Sequence, residues 1–303
     1  MKLLFTSIAI SLSVLACKQN NNTATLAVNS SIEKSVNKQD KPLQKPQPLS
    51  QDFKDYWYSG QAEISSYTLE QYRYGEKRTG DAVLVFVTEP FLKDKQVKAD
   101  RNNPDNIPIL KLNTTKNFIT GIYPYSVMES VFYPVGNNQH ALKTTASVQE
   151  WCGQTYAQLN NREQFEIKAH SYFESEADEA YNTEKAVLES ELWTQLRLNP
   201  NSLPVGNFEC IPSLAFSRLF HKSIKPTSAE ATLKNNTYTL VYPELNRTLS
   251  INFEAEFPHK IVSWTDSYRG KTSTATLKKT IKSAYWNKNS NKDEVLRETL
   301  QLK

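Results

Sequence analysis

Much of the chain beyond residue 60 alternates apolar and polar side chains with a period of two. Leu249, Ile251, Phe253, Ala255 and Phe257 interleave with Ser250, Asn252, Glu254 and Glu256, the pattern of a half-buried strand. Phe165, Ile167, Ala169, Ser171 and Phe173 likewise share one face, with Glu166, Lys168 and His170 on the other. Asp81 to Glu89 (DAVLVFVTE) is almost wholly apolar and reads as a strand buried on both faces. The Tyr- and Thr-rich stretch from Gly60 to Tyr74 is joined to it by the polar turn GEKRTG, a hairpin. Further strands are expected over Pro108–Thr115, Ile122–Val135, Ala141–Glu150, Thr237–Tyr242 and Lys260–Tyr268. Helical spacing is clearest over Thr183–Leu198, where Val187, Leu188, Leu192, Trp193 and Leu196 form a stripe; a short helix is expected from Ser50 to Trp57, and the end of the C-terminal stretch is helical in pattern. Ile281 to Lys303 reads as a closing strand followed by a surface tail. The fold class expected is mainly β (α+β): a large curved antiparallel sheet or half-barrel with one principal helix on its concave side. That architecture is similar to the periplasmic lipoprotein carriers, a likeness of fold that does not fix function.

The first residues carry a different signal. Met1 and Lys2 precede a short apolar stretch, Leu3 to Leu15, too short to span a bilayer of about 30 Å and suited to a secretory signal. It ends in Val14-Leu15-Ala16-Cys17, which resembles a bacterial lipobox. That resemblance implies cleavage after Ala16 and lipid on Cys17, each buried methylene contributing about 0.8 kcal/mol to anchoring. Residues 18–50 are rich in Asn, Ser, Lys, Gln and Pro and hold too little apolar surface to fold. The organisation expected is therefore a signal peptide (1–16), a lipidated Cys17 with a disordered tether (17–50), and one β-rich domain (51–303). The expected location is the cell envelope, lipid-anchored, on the outer membrane.

Composition narrows the function classes. Eight glycines in 303 residues disfavour nucleotide sites built on glycine-rich loops, and no apolar run reaches about 18 residues. Without residues 1–16 the balance is 35 basic against 32 acidic residues, with no cluster of five basic ones, so nucleic acid is not expected as a partner. Gly75 and Gly80 have the spacing of a phosphate-binding loop, but Asp81 stands where that loop needs a lysine. Cys152 and Cys210 can pair, or remain two buried thiols. Cys152 is also a candidate nucleophile, although none of His140, His170, His221 and His259 stands at a recognised spacing from it. His170 with Glu174, Glu176, Asp178 and Glu179 is the most metal-like cluster, read instead as a solvated acidic turn. No cofactor and no metal are expected. The aromatic residues are more suggestive, because Tyr and Trp join an apolar body to a polar tip. Tyr67, Tyr72, Tyr74, Tyr123, Tyr125 and Trp264 are the candidate ligand-binding residues, set against plain sheet packing.

Four runs stand out: residues 53–100 (FKDYWYSG through QVKAD), GIYPYS, QEWCGQTYAQLNNR and SAYWNKNSNKD. They resemble an envelope lipoprotein family of Bacteroidota whose members often bear the label "septum formation inhibitor Maf". The resemblance covers essentially all of residues 51–300. Maf proteins are cytoplasmic nucleotide pyrophosphatases of α/β fold with an early Ser-x-Arg-Arg motif. This chain has no such motif, and no Maf catalytic residue carries over. What the resemblance implies is an envelope lipoprotein. The expected function is a non-catalytic binding module for an apolar or lipid-like ligand or an envelope partner. The alternatives are an enzyme (a nucleotide pyrophosphatase or a Cys152-dependent hydrolase) and a structural component of an envelope complex.

Overall fold

The computed structural model describes residues 48–101, 103–136 and 140–302; the signal segment, Cys17 and most of the tether lie outside the described residues. The strands are β1 (Ala62–Arg73), β2 (Glu76–Leu92), β3 (Val97–Lys98), β4 (Ile107–Thr120), β5 (Tyr123–Pro134), β6 (Lys143–Glu150), β7 (Gly153–Asn161) and β8 (Phe165–Ser171). They continue with β9 (Glu179–Thr183), β10 (Val187–Leu188), β11 (Gly206–Ile211), β12 (Thr227–Lys234), β13 (Thr237–Tyr242), β14 (Arg247–Phe253), β15 (Ile261–Tyr268) and β16 (Lys271–Ser283). The helices are α1 (Gln51–Trp57), α2 (Glu189–Leu198), α3 (Leu214–Leu219) and α4 (Val295–Thr299). One sheet holds every strand, in the order β10-β11-β12-β13-β14-β15-β16-β1-β2-β4-β5-β6-β7-β8-β9, with β3 on the end of β2. All neighbours are antiparallel except β10 and β11. The β16–β1 ladder, with Leu69 opposite Ala275, welds the two halves of the chain together.

The sheet curls around α2, and the hydrogen bonds of that helix demonstrate it. Ser190 donates to Glu129 on β5 (2.7 Å), Arg197 to Glu63 on β1 (2.6 and 2.7 Å), and Glu189 accepts from Arg247 on β14 (2.6 and 2.8 Å). A ten-residue helix cannot reach strands so far apart in the order unless the sheet wraps it. The first and last strands, β9 and β10, are consecutive in the chain with three residues between them, so the two edges return to one seam. This is a barrel-like body with a helix as its plug. Inward-facing positions of β4, β5 and β14 build the core, among them Leu110, Leu112, Val127, Val131, Leu249 and Ile251.

The ends of the barrel are closed differently. Ser50 caps α1 by accepting from Phe53 N (3.1 Å), and the helix lays Phe53 and Trp57 over the end where β1 begins. There Arg197, 1% exposed, is held by Glu63 and by Pro258 O and lies 5.0 Å from the Trp57 ring and 4.6 Å from the Phe86 ring. Its bidentate pair satisfies a charge that would be costly to leave alone in the interior. At the other end lie the β1–β2, β4–β5, β6–β7, β13–β14 and β15–β16 turns, partly covered by α3.

Most of the expected strands are present, and three readings need correction. Residues 183–188 are not helical: Thr183 pairs with Phe165, and Val187 and Leu188 pair with Cys210 and Ile211. Ladder pairing there overrides helical spacing, and α2 begins at Glu189 with Leu188 N donating to Glu191 (3.1 Å). The hairpin turn is Tyr74-Gly75, with Gly75 at φ +81°, while Glu76–Gly80 already belong to β2. The C-terminal residues do more than trail: Leu300 is buried with Ala62, Ile64 and Val87, and Val83, Val85 and Leu302 join them. That cover makes the 81–89 strand apolar on both faces.

Candidate functional site

Charged residues stand on inward-facing positions of otherwise apolar strands. On β4 the inward set is Leu110, Leu112, Thr114, Lys116 and Phe118; on β5 it is Tyr125, Val127, Glu129, Val131 and Tyr133. Arg247 begins the inward set of β14, and Asp266 lies on β15 beyond Trp264. Lys116, Glu129, Arg247 and Asp266, with Glu189 and Ser190 from α2, line a cavity of about 50 Å³, room for a few waters. Its apolar wall includes Trp193, Trp264, Phe216 and Phe220. A second space of about 160 Å³ lies toward the turn end, lined by Tyr72, Arg73, Tyr74, Tyr268, Arg269 and Lys271. Gln71, Phe220 and Asp266 line both, so they form the partition between an inner chamber and its mouth.

The charges of the chamber are not equivalent. Arg247 is fully engaged: it forks onto Glu189, reaches both oxygens of Asp266 (2.8 and 2.9 Å), and stacks 3.8 Å from the centre of the Phe216 ring. Glu189 also accepts from Tyr242 (2.9 Å), whose hydroxyl oxygen lies 3.1 Å from Cys210 Sγ. Glu129 accepts from Ser190 and from Leu214 N (2.9 Å) on one oxygen. Burial pushes its carboxyl up to about 7; the Ser190 hydrogen bond pulls the other way and the Glu189 charge adds to the rise. The side-chain amine of Lys116 makes no hydrogen bond or ion pair among the described residues. Protein surrounds it, and burial holds its amine below the ordinary lysine range, against the pull of Asp266, Glu129 and Glu189. Lys116 and Glu129 keep part of their surface open to the chamber. Two cations face three carboxylates here, so the set is neutral with Glu129 protonated and carries one negative charge with it ionised.

The candidate aromatics gather at the same end. Tyr72 and Tyr74 line the mouth and Trp264 lines the chamber. Tyr125 is buried, shares a 2.7 Å hydrogen bond with Tyr74, and stacks on Phe118 at 5.0 Å. Arg73 donates to Tyr125 (3.2 Å) and to Leu219 O (2.9 Å), tying the rim to α3. Tyr123 adjoins this set, its ring 5.9 Å from that of Tyr125, and stacks on exposed Trp151 (6.2 Å). Tyr67 is core: 1% exposed, it donates to Ile261 O (2.8 Å) and backs Trp264 at 4.8 Å. Lys116, Glu129 and Arg247 escaped the sequence reading, although a charged residue in the apolar phase of a strand was the signal that marks them.

The other candidates do not assemble. Cys152 is exposed and Cys210 buried, and both are free. The Glu150 carboxylate beside Cys152 raises its thiol, and burial raises that of Cys210 well above the usual range, so neither favours a thiolate. Of the acidic cluster, His170 meets Asp178 at 3.3 Å on the surface, while Glu176 turns inward to Arg218 (3.5 Å) and His221 (3.4 Å). Among the described residues no three His, Cys, Asp or Glu side chains converge as a metal site.

No family model matches the chain, and no curated protein is similar to it. Among solved structures it is similar to a β-barrel-like protein of the domain of unknown function DUF1849 from Brucella abortus. The TM-score is 0.44 at 5% identity, over 73% of this chain and 98% of that one.

Proposed function

We propose that the protein is a lipid-anchored envelope binding module whose barrel-like body takes a small apolar or lipid-like ligand. The ligand enters between the tyrosines of the mouth, and its polar group lodges in the chamber beside Lys116 and Glu129. The observation that carries this reading is the chamber itself: an apolar aromatic wall with a few convergent polar groups, including an amine that no group among the described residues satisfies. The near-neutral balance of the chamber favours an uncharged head, because a free anion would meet Glu189, Asp266 and Glu129. The lipobox-like Val14-Leu15-Ala16-Cys17 and the family resemblance support the envelope location.

The test is binding of medium-chain probes to the purified domain, read by tryptophan fluorescence. Trp193 and Trp264 line the chamber 5.3 Å apart and report its occupancy. Hexanol should quench saturably and hexanoate more weakly at pH 8. Trp193→Phe should remove much of the signal without abolishing binding. No saturable response to any chain length, with no lipid by mass spectrometry of protein purified without detergent, would reject the reading.

A further inference from the structure

We infer that Lys116 is a reactive amine which captures an aldehyde or ketone ligand in the chamber as an imine. This deepens the binding reading above and rests on it. Four observations converge on the lysine. Its side chain faces the chamber on an inward position of β4, opposite Val127 of β5. It has no ion-pair or hydrogen-bond partner among the described residues, so no protein group blocks attack by its nitrogen. The potential salt-bridge partners are committed elsewhere: Asp266 and Glu189 to Arg247, Glu129 to Ser190 and Leu214 N. Finally, Glu129 lies diagonally across the β4–β5 ladder, since it pairs with Thr114, two residues before Lys116 on the same face.

That arrangement supplies what imine formation requires. Burial disfavours the ammonium form, which leaves more neutral amine than a surface lysine has. The nitrogen attacks the carbonyl carbon, forming the C–N bond as the carbonyl π pair moves to oxygen. The proton that the nitrogen sheds passes to that oxygen, giving a neutral carbinolamine. Glu129, near 7, then donates its proton to the hydroxyl, which leaves as water while the nitrogen lone pair closes the C=N bond, giving a protonated imine beside the Glu129 carboxylate. The positive charge gained by the imine nitrogen is matched by the negative charge left on Glu129, so the net charge of the chamber is unchanged. Nothing is oxidised or reduced, and water is the sole by-product.

The experiment is trapping with hexanal and sodium cyanoborohydride at neutral pH, where hydride reduces the imine to a stable secondary amine. Peptide mass spectrometry should find the hexyl group on Lys116 at least tenfold faster than on the exposed lysines Lys54 and Lys292. Lys116→Arg, which keeps the charge, should lose that label and leave the surface labels unchanged. Glu129→Gln should slow labelling at Lys116 about tenfold while the surface lysines are labelled at their native rates. Labelling of Lys116 no faster than the surface lysines, in protein that binds hexanol, would overturn the imine and spare the binding reading. If hexanol does not bind either, both fall.

Discussion

Glu129 shows how one side chain couples the site to the stability of the fold. Its carboxyl, pushed up to about 7 chiefly by burial, binds a proton more tightly in the folded protein than in the unfolded chain, where the reference lies at 4.5. The stability this lends is therefore complete below about pH 4.5 and is lost as pH rises through about 7. At 1.36 kcal/mol per unit the loss is on the order of 3 kcal/mol. Urea unfolding of the native protein and Glu129→Gln, compared from pH 4.5 to 8, should expose it. The variant should lack this component and be the more stable of the two at pH 8. Parallel curves for the two proteins would mean that the carboxyl titrates as if solvated. The residue was readable in principle, because Val127, Glu129 and Val131 hold one strand phase. What the sequence could not convey is that Ser190 and Leu214 N, 61 and 85 residues away, would donate to it.

Among the elements, β2 and β4 are held to close approach by a single missing side chain. A Cβ on Gly80 would stand 2.0 Å from Asn117 O and 2.9 Å from Phe118 Cβ. Gly80→Ala must therefore push β2 from β4, next to Phe118 and the Tyr125 ring stacked upon it. It should cost about 2 kcal/mol or more in chemical denaturation, well beyond an ordinary change on a strand. A loss under about 0.5 kcal/mol would mean that the ladder yields locally. Gly80 also marks where turn chemistry misleads. GEKRTG reads as one polar turn, but two residues suffice at Tyr74-Gly75 and the remainder extends the hairpin ladder. Period-two alternation found β4, β5, β13, β14 and β15 because each faces the core on one side. The helical stripe over 183–198 failed at its start because β9 and β10 are short edge strands whose pairing is non-local.

For the whole molecule the decisive feature is where the sheet begins and ends. The long central strands β16, β1, β2 and β4 join the two halves of the chain, and Leu300 and its neighbours cover β1 and β2 on the outer side. At the seam β9 has five residues and β10 two, with no ladder between them. Local opening follows the weakest contacts, so amide exchange should be graded. Protection should be greatest at Ile64–Leu69 and Leu84–Phe86 and least over Glu179–Leu188. The seam leads directly into α2, whose Glu189 and Ser190 line the chamber. A chamber ligand should therefore slow exchange at the start of α2 more than at the centre of the sheet, which has little opening left to suppress. Equal protection of β9 and β1 in the free protein would instead describe a body zipped into a closed barrel.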